Sequence, residues 1–157
     1  MTGYSGALEY LYRLENFGIV LGLENIKWIL DVIGNPHFNF KCVHIAGTNG
    51  KGSVASMLSH IFKEAGYIVG KYTSPHLVSF TERITVNERK ITENEVTELT
   101  GQIRNNLEKK EKNRLFTFFD FTTAMAFEYF SRKKIDLAII EVGLGGRLDS
   151  TNVIKPI

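Results

Sequence analysis

Residues 42–66 read CVHIAGTNGKGSVASMLSHIFKEAG. Cys42 to Ala46 is a short apolar run of the kind that forms a buried strand. Gly47 to Gly52 is a glycine-rich turn. Ser53 to Ala65 spaces Val54, Met57, Leu58, Ile61 and Phe62 along one helical face, and Gly66 closes it. Strand, glycine turn and helix in this order suit a phosphate. Glycines let backbone N–H groups turn inward onto phosphate oxygens, and the helix start adds its positive dipole end. Lys51 supplies a charge for the β- and γ-phosphates. The pattern departs from GxxxxGK[ST] in two ways: Ile45 stands where the first glycine would be, and Gly52 separates Lys51 from Ser53.

Outward from this stretch the chain alternates. Ser5–Leu14 and Leu23–Ile33 have helical spacing, and Gly34-Asn35-Pro36 stops the second. Ile68–Tyr72 reads as a second strand, followed by a loop over Thr73–Thr81 around Ser74-Pro75 and a short strand over Arg83–Asn87. Thr92 with Glu95 makes a capping box, opening a helix that runs to about Lys112. Asp120–Arg132 is a strongly apolar helix. Asp136–Val142 (DLAIIEV) is a third buried strand, and Gly143–Asn152 is another glycine-rich loop. Strands alternating with helices predict an α/β fold, a P-loop-like parallel sheet flanked by helices on both faces. Ligands bind such sheets at the carboxyl ends of the strands. The three loops after the three buried strands are therefore expected to meet at one edge.

Composition narrows the classes. The chain has 157 residues, a length for one domain, with 43% hydrophobic and 23% charged residues. Nineteen Lys and Arg against 17 Asp and Glu give a net charge of +2, which offers no electrostatic case for nucleic acid or an anionic membrane. The single cysteine, Cys42, excludes a disulfide framework and a cysteine-based zinc site. No apolar run approaches the ~18 residues of a membrane span. Met1–Glu15 lacks the apolar core of a signal peptide, so a cytoplasmic location is expected. Lys109-Lys110-Glu111-Lys112 reads as a solvated helix end.

Glu141, at the tip of a buried strand beside a phosphate loop, is placed like a magnesium ligand; a capping or salt-bridging acid is the alternative. In Tyr72-Thr73-Ser74-Pro75-His76-Leu77, Ser74 offers a neutral oxygen and Pro75 stiffens the loop, though such a stretch could also be a plain turn. His37, His44, His60 and His76 have no ligand pattern, and Trp28 reads as a core anchor.

Taken together, AGTNGKGS (46–53), YTSPHL (72–77) with FTERI (80–84), and EVGLGGRLDSTN (141–152) resemble the folylpolyglutamate synthase and dihydrofolate synthase family, within the ATP-dependent Mur ligase superfamily. Gly22-Leu23-Glu24-Asn25-Ile26 and Gly34-Asn35-Pro36 fit the same family. The resemblance implies that Asn49, Gly50, Lys51, Gly52 and Ser53 hold the ATP phosphates, and that Ser74 and Glu141 are magnesium ligands, with Lys51 and Glu141 catalytic. It implies a pterin pocket lined by Thr117, Phe118, Phe119 and Asp120, by Leu148, Asp149 and Ser150, and on the N-terminal side by Gly22, Leu23 and Glu24. Family members often carry Glu where this chain has Asp120. Phe118 and Phe119 offer flat faces for a ring to stack on, with at least one of them expected in the core. Asp149 could accept hydrogen bonds from ring nitrogens or cap a local turn.

The resemblance further implies an ATP-dependent amide ligase. A carboxylate of dihydropteroate or of a folate takes the γ-phosphoryl group, and L-glutamate then displaces phosphate. ATP and Mg2+ are the implied cofactors. Residues 1–157 would be the N-terminal part of the ATP-binding domain, without a third metal ligand, a modified lysine and the glutamate-binding domain, and so not active alone. A strand following Val153 would lack a partner, and that open edge predicts self-association. A cell-wall ligase of the same superfamily, acting on a UDP-sugar peptide, and a nonenzymatic nucleotide-binding module stay open as alternatives.

Overall fold

A computed structural model describes residues 3–18, 20–111 and 114–157. Its centre is a five-stranded sheet made of β1 (Lys41–Ile45), β2 (Val69–Tyr72), β3 (Ile84–Val86), β4 (Arg89–Lys90) and β5 (Leu137–Glu141), in the order β1-β5-β2-β3-β4. β5 lies between β1 and β2 and is parallel to both: Cys42 faces Ala138 on one side, and Gly70 faces Ala138 on the other. All five residues of β5 are buried, as its unbroken apolar run requires.

The sheet is mixed, not wholly parallel as expected. β3 returns antiparallel to β2 because only the loop over residues 73–83 joins them, and a parallel return needs a longer crossover. Asn87 (φ 48°) and Glu88 (φ 64°) then turn the chain into β4, a two-residue hairpin loop of left-handed residues. β4 escaped the sequence because Asn-Glu lacks the usual glycine.

Among the described residues five α-helices flank the sheet: α1 (Gly3–Arg13), α2 (Glu24–Val32), α3 (Lys51–Glu64), α4 (Glu93–Lys110) and α5 (Phe118–Lys133). The expected end of α4 at Lys112 lies outside the described residues. Alternation along the strands sorts the core. Ile45, Val69, Leu137 and Ile139 pack with Ala55 of α3 on one face. Cys42, Tyr72, Ile84, Ala138 and Ile140 meet α5 on the other, with α1, α2 and α4 in the same cluster. Gly70 lets α5 come close. A Cβ there would lie 2.6 Å from Ile135 Cδ1 and 2.8 Å from Phe130 Cδ1. Trp28 is half-buried and stacks on Phe116 at 5.4 Å. No helix among the described residues is long and apolar enough to cross a membrane.

Residues 153–157 form no strand. The chain turns there instead, and the Ile157 N–H donates to Cys42 O at 3.0 Å on the outer edge of β1. Because β1, β5 and β2 run the same way, the loops after them (46–50, 142–152 and 73–79) share the carboxyl edge, as the alternation predicted.

Candidate functional site

At that edge the three loops touch. Glu141, 5% exposed at the tip of β5, accepts a hydrogen bond from the Ser74 backbone N–H at 3.1 Å. Its two carboxylate oxygens each lie 3.9 Å from where a Gly52 Cβ would be. Glu141 therefore sits between the start of α3 and the Ser74 loop. Lys51 is beside Gly52 in sequence and folds back, its Nζ donating to Gly47 O at 3.0 Å. The three loop tips are on one side of the molecule.

The start of α3 differs from those of α4 and α5. Its N-cap is Gly50 at φ 77°, with no side-chain cap and no acid in the first turn. The N–H groups of a first helical turn have no partner within the helix, so here the positive end is left uncovered. α4 and α5 differ: Thr92 with Glu95, and Thr117 with Asp120, form full capping boxes. Burial works against the Glu95 carboxylate, but bonds from Lys133 and Thr92 outweigh it and hold its pKa down to about 2.

Two cavities open at this edge, and Ser74 and Pro75 line both. The first, about 390 Å³, is bounded by Thr117, Phe118, Phe119, Leu144, Leu148, Asp149 and Ser150, with Arg83, Glu15, Gly18, Val20 and Leu21 on the near side. The second, about 430 Å³, is bounded by Gly52, Ser56, Lys71, Thr73, Thr85 and Glu141, with Glu82, Glu88 and Lys90. The Ser74–Pro75 segment is the wall between them. No cluster of three His, Cys, Asp or Glu able to hold a metal is present among the described residues. Magnesium needs few protein oxygens, and the Ser74 hydroxyl with the Glu141 carboxylate is a donor set of that kind.

The expected pocket residues fall into two groups. Thr117, Phe118, Phe119, Leu148, Asp149 and Ser150 line the first cavity. Asp120 does not. It is 1% exposed and fully engaged: Oδ2 accepts from the Thr117 N–H and hydroxyl (3.2 and 2.7 Å), and Oδ1 accepts from Ser150 Oγ at 2.7 Å. Gly22, Leu23 and Glu24 do not line the cavity either. Leu23 is the N-cap of α2, Glu24 begins that helix, and Gly22 N–H donates to Leu148 O at 3.4 Å. The N-terminal wall comes instead from Glu15, Gly18, Val20 and Leu21. Of the two phenylalanines, Phe118 is 8% exposed and packs on Tyr12 and Phe80. Phe119 stacks on Tyr72 at 6.1 Å and lies beneath Gly143, where a Cβ would clash with its ring.

Asp149 acts as a turn cap. Oδ2 accepts from Leu144 N–H at 2.7 Å and Oδ1 from Thr151 N–H at 3.0 Å and from the Thr151 hydroxyl. That hydroxyl also meets His44 Nε2 at 2.8 Å, tying the loop to β1. Burial pushes the His44 pKa down, outweighing the nearby Asp149 charge.

Two residues were missed as site residues although both stand in FTERI. Glu82 accepts from the backbone N–H groups of Leu77, Val78 and Ser79 (2.9, 3.3 and 3.3 Å), which holds its pKa down to about 2 and shapes the Ser74 loop. The spacing Ser79-x-x-Glu82, a capping box, was the available signal. Arg83, its neighbour, lines the other cavity.

No protein-family model matches the chain. The dihydrofolate synthase/folylpolyglutamate synthase of Bacillus subtilis (strain 168) is 40% identical over 159 residues, covering 99% of this chain and 37% of that protein. The crystal structure of folylpolyglutamate synthase from Thermotoga maritima superposes with a TM-score of 0.90 at 48% identity, covering 98% of this chain and 36% of that one. The bifunctional folylpolyglutamate synthase/dihydrofolate synthase from Yersinia pestis, solved with AMPPNP and a manganese ion, superposes with a TM-score of 0.86 at 35% identity, covering 99% and 37%. The chain thus spans a little over a third of the length of each. From end to end the chain is similar in sequence and in fold to these folylpolyglutamate and dihydrofolate synthases.

Proposed function

We propose that this chain carries the nucleotide-phosphate and pterin sites of a cytoplasmic, ATP-dependent amide ligase of folate metabolism, which joins L-glutamate to dihydropteroate or a folyl-(poly)glutamate. The carrying observation is the contact of the Glu141 carboxylate with the Ser74 loop and the uncapped start of α3. An anion belongs at that start, and a carboxylate belongs beside the metal that escorts a triphosphate. Asn49, Gly50, Lys51, Gly52 and Ser53 take the phosphates. Lys51, held now by one exposed bond to Gly47 O, is free to swing to them. Ser74 and Glu141 hold the magnesium ion, which when bound neutralises charge on the transferring phosphoryl group.

The first cavity suits a flat ring. Phe119, Leu144 and Leu148 supply apolar surface, and Thr117 and Ser150 supply polar edges. Asp120 and Asp149 serve it indirectly, by fixing those edges. The chemistry is then positioning across the Ser74–Pro75 wall, with the acceptor carboxylate on one side and the phosphoryl donor on the other. The relatives' names support the folate assignment, and the AMPPNP and manganese ion of the Yersinia pestis enzyme support the nucleotide and metal. Residues 1–157 are proposed as the N-terminal part of the ATP-binding domain.

Titrating the chain with AMPPNP in the presence and absence of Mg2+, and separately with pteroate, tests the reading. Saturable binding of both, with metal strengthening the nucleotide alone, is expected. Failure to bind either refutes it.

A further inference from the structure

Arg83 is 7% exposed, yet no carboxylate lies within ion-pair distance of it among the described residues. Arg13, Arg104, Arg114 and Arg132, all more exposed, each have an acidic partner. A guanidinium stays charged in any protein environment, and a buried charge without a counterion is unfavourable. The side chain makes one hydrogen bond, from Nε to His76 Nδ1 at 2.7 Å. Its Cζ lies 5.0 Å from the Phe118 ring centroid, a cation–π contact. None of its nitrogens is both sealed from solvent and unpartnered. Arg83 lines the first cavity, and among the described residues it is the only cation in that lining.

The neighbours hold that geometry. His76 Nδ1 takes the Arg83 Nε bond, and its Nε2 faces Tyr12 Oη at 3.5 Å. Arg83 O accepts from Thr73 N–H at 3.0 Å, which fixes the residue next to the Ser74–Pro75 wall.

We propose that Arg83 is the anion-recognising residue of the first cavity, binding the carboxylate of a ligand whose aromatic body lies against Phe119 and Leu148. The inference rests on the ligase reading and deepens it. The carboxylate held beside the wall is the one that accepts the phosphoryl group: its oxygen forms a bond to the γ-phosphorus, the bond from that phosphorus to the bridging oxygen breaks, and ADP leaves with the electron pair. Arg83 positions this carboxylate and offsets its repulsion from the triphosphate.

The test compares pteroate with its uncharged carboxamide on the wild-type chain and on R83M and R83K. The wild type is expected to bind the acid about 10–100-fold more tightly than the amide. In R83M the preference disappears through loss of acid binding alone, and in R83K part of it returns, because lysine keeps the charge without the fork. Equal binding of acid and amide by the wild type overturns the proposal without any variant, so a misfolded R83M cannot rescue it. Equal weakening of both ligands in R83M, or a retained preference, overturns it as well, and in these cases the ligase reading stands. If the wild type binds neither pteroate nor its amide but still binds AMPPNP with Mg2+, the proposal and the pterin half of the reading fall together.

Discussion

Helices α3 and α5 both begin at the carboxyl edge of the sheet, and they begin in opposite ways. α5 is closed on itself: Thr117 and Asp120 exchange bonds, and the same Asp120 reaches Ser150 in the loop after β5. α3 starts at a left-handed glycine with no side-chain cap and no acid. The two glycine-rich loops follow the same division. The loop at 143–152 has its polar groups engaged in its own bracing by Asp149, Thr151 and His44. The loop at 47–50 carries a single side-chain bond, from Lys51 to Gly47 O. One helix start is closed by its own side chains, and the other is left uncovered.

The largest expected effect comes from opening the closed end. D120A removes a capping box and leaves Ser150 Oγ unpaired inside the protein. Loss of a cap is worth ~1 kcal/mol and an unsatisfied buried group ~1–3 kcal/mol, so denaturant unfolding is expected to show a loss of about 2–4 kcal/mol. D120N, which keeps an acceptor, is milder. A loss under about 0.5 kcal/mol would mean that α5 needs its cap no more than α3 does, and the contrast would break.

K51A probes the open end. Its exposed bond to Gly47 O contributes little to folding, so unfolding midpoints are expected to match the wild type. Under the ligase reading, AMPPNP binding weakens by about 10–100-fold, the worth of a charge-assisted contact. A stability loss without a binding loss reverses the assignment.

How much of this contrast is visible in the sequence depends on range. The capping box Thr92-x-x-Glu95 is a local code and reads directly. Thr117-x-x-Asp120 has the same form with the shorter acid, but nothing local says that Ser150 will occupy the other carboxylate oxygen. The three buried strands and the shared edge of their loops follow from apolar runs and alternation. The antiparallel β3–β4 hairpin does not, since Asn87-Glu88 carries no glycine, and Glu88 is held at positive φ by Ser59 and Lys71 from distant parts of the chain. Gly143 looks like one more loop glycine until Phe119 is seen packed against it. The site's partners are non-local, and pattern reading is blind to them.

α4 sharpens the comparison through pH. Glu95 has its pKa lowered to about 2 by its bonds to Lys133 and Thr92, against an opposing push from burial. A carboxylate lowered in the folded state adds stability that is full above its unfolded value, near 4.5, and is lost as pH falls toward 2. Stability measured across that window is expected to fall less steeply in E95Q than in the wild type. The effect is modest, because Glu95 is partly solvent-exposed and so partly screened. A parallel pH profile for the two proteins would show that this cap carries no charge-dependent stability.

The smallest expected change is the most discriminating, because it moves stability and binding in opposite directions. Gly52 lies in the first turn of α3 without a left-handed backbone, and a Cβ there would meet only the Glu141 oxygens at 3.9 Å, an ordinary contact. G52A relieves the glycine penalty in a helix, so folding is expected to gain up to about 0.5–1 kcal/mol. The same methyl group stands between the start of α3 and the Glu141 carboxylate, where the ligase reading puts the metal and the phosphates. Binding of AMPPNP with Mg2+ should weaken while the protein becomes no less stable. If α3 were only another structural helix, nothing would be lost with the glycine, so a G52A chain that is both more stable and unimpaired in nucleotide binding would place α3 on the same footing as α5.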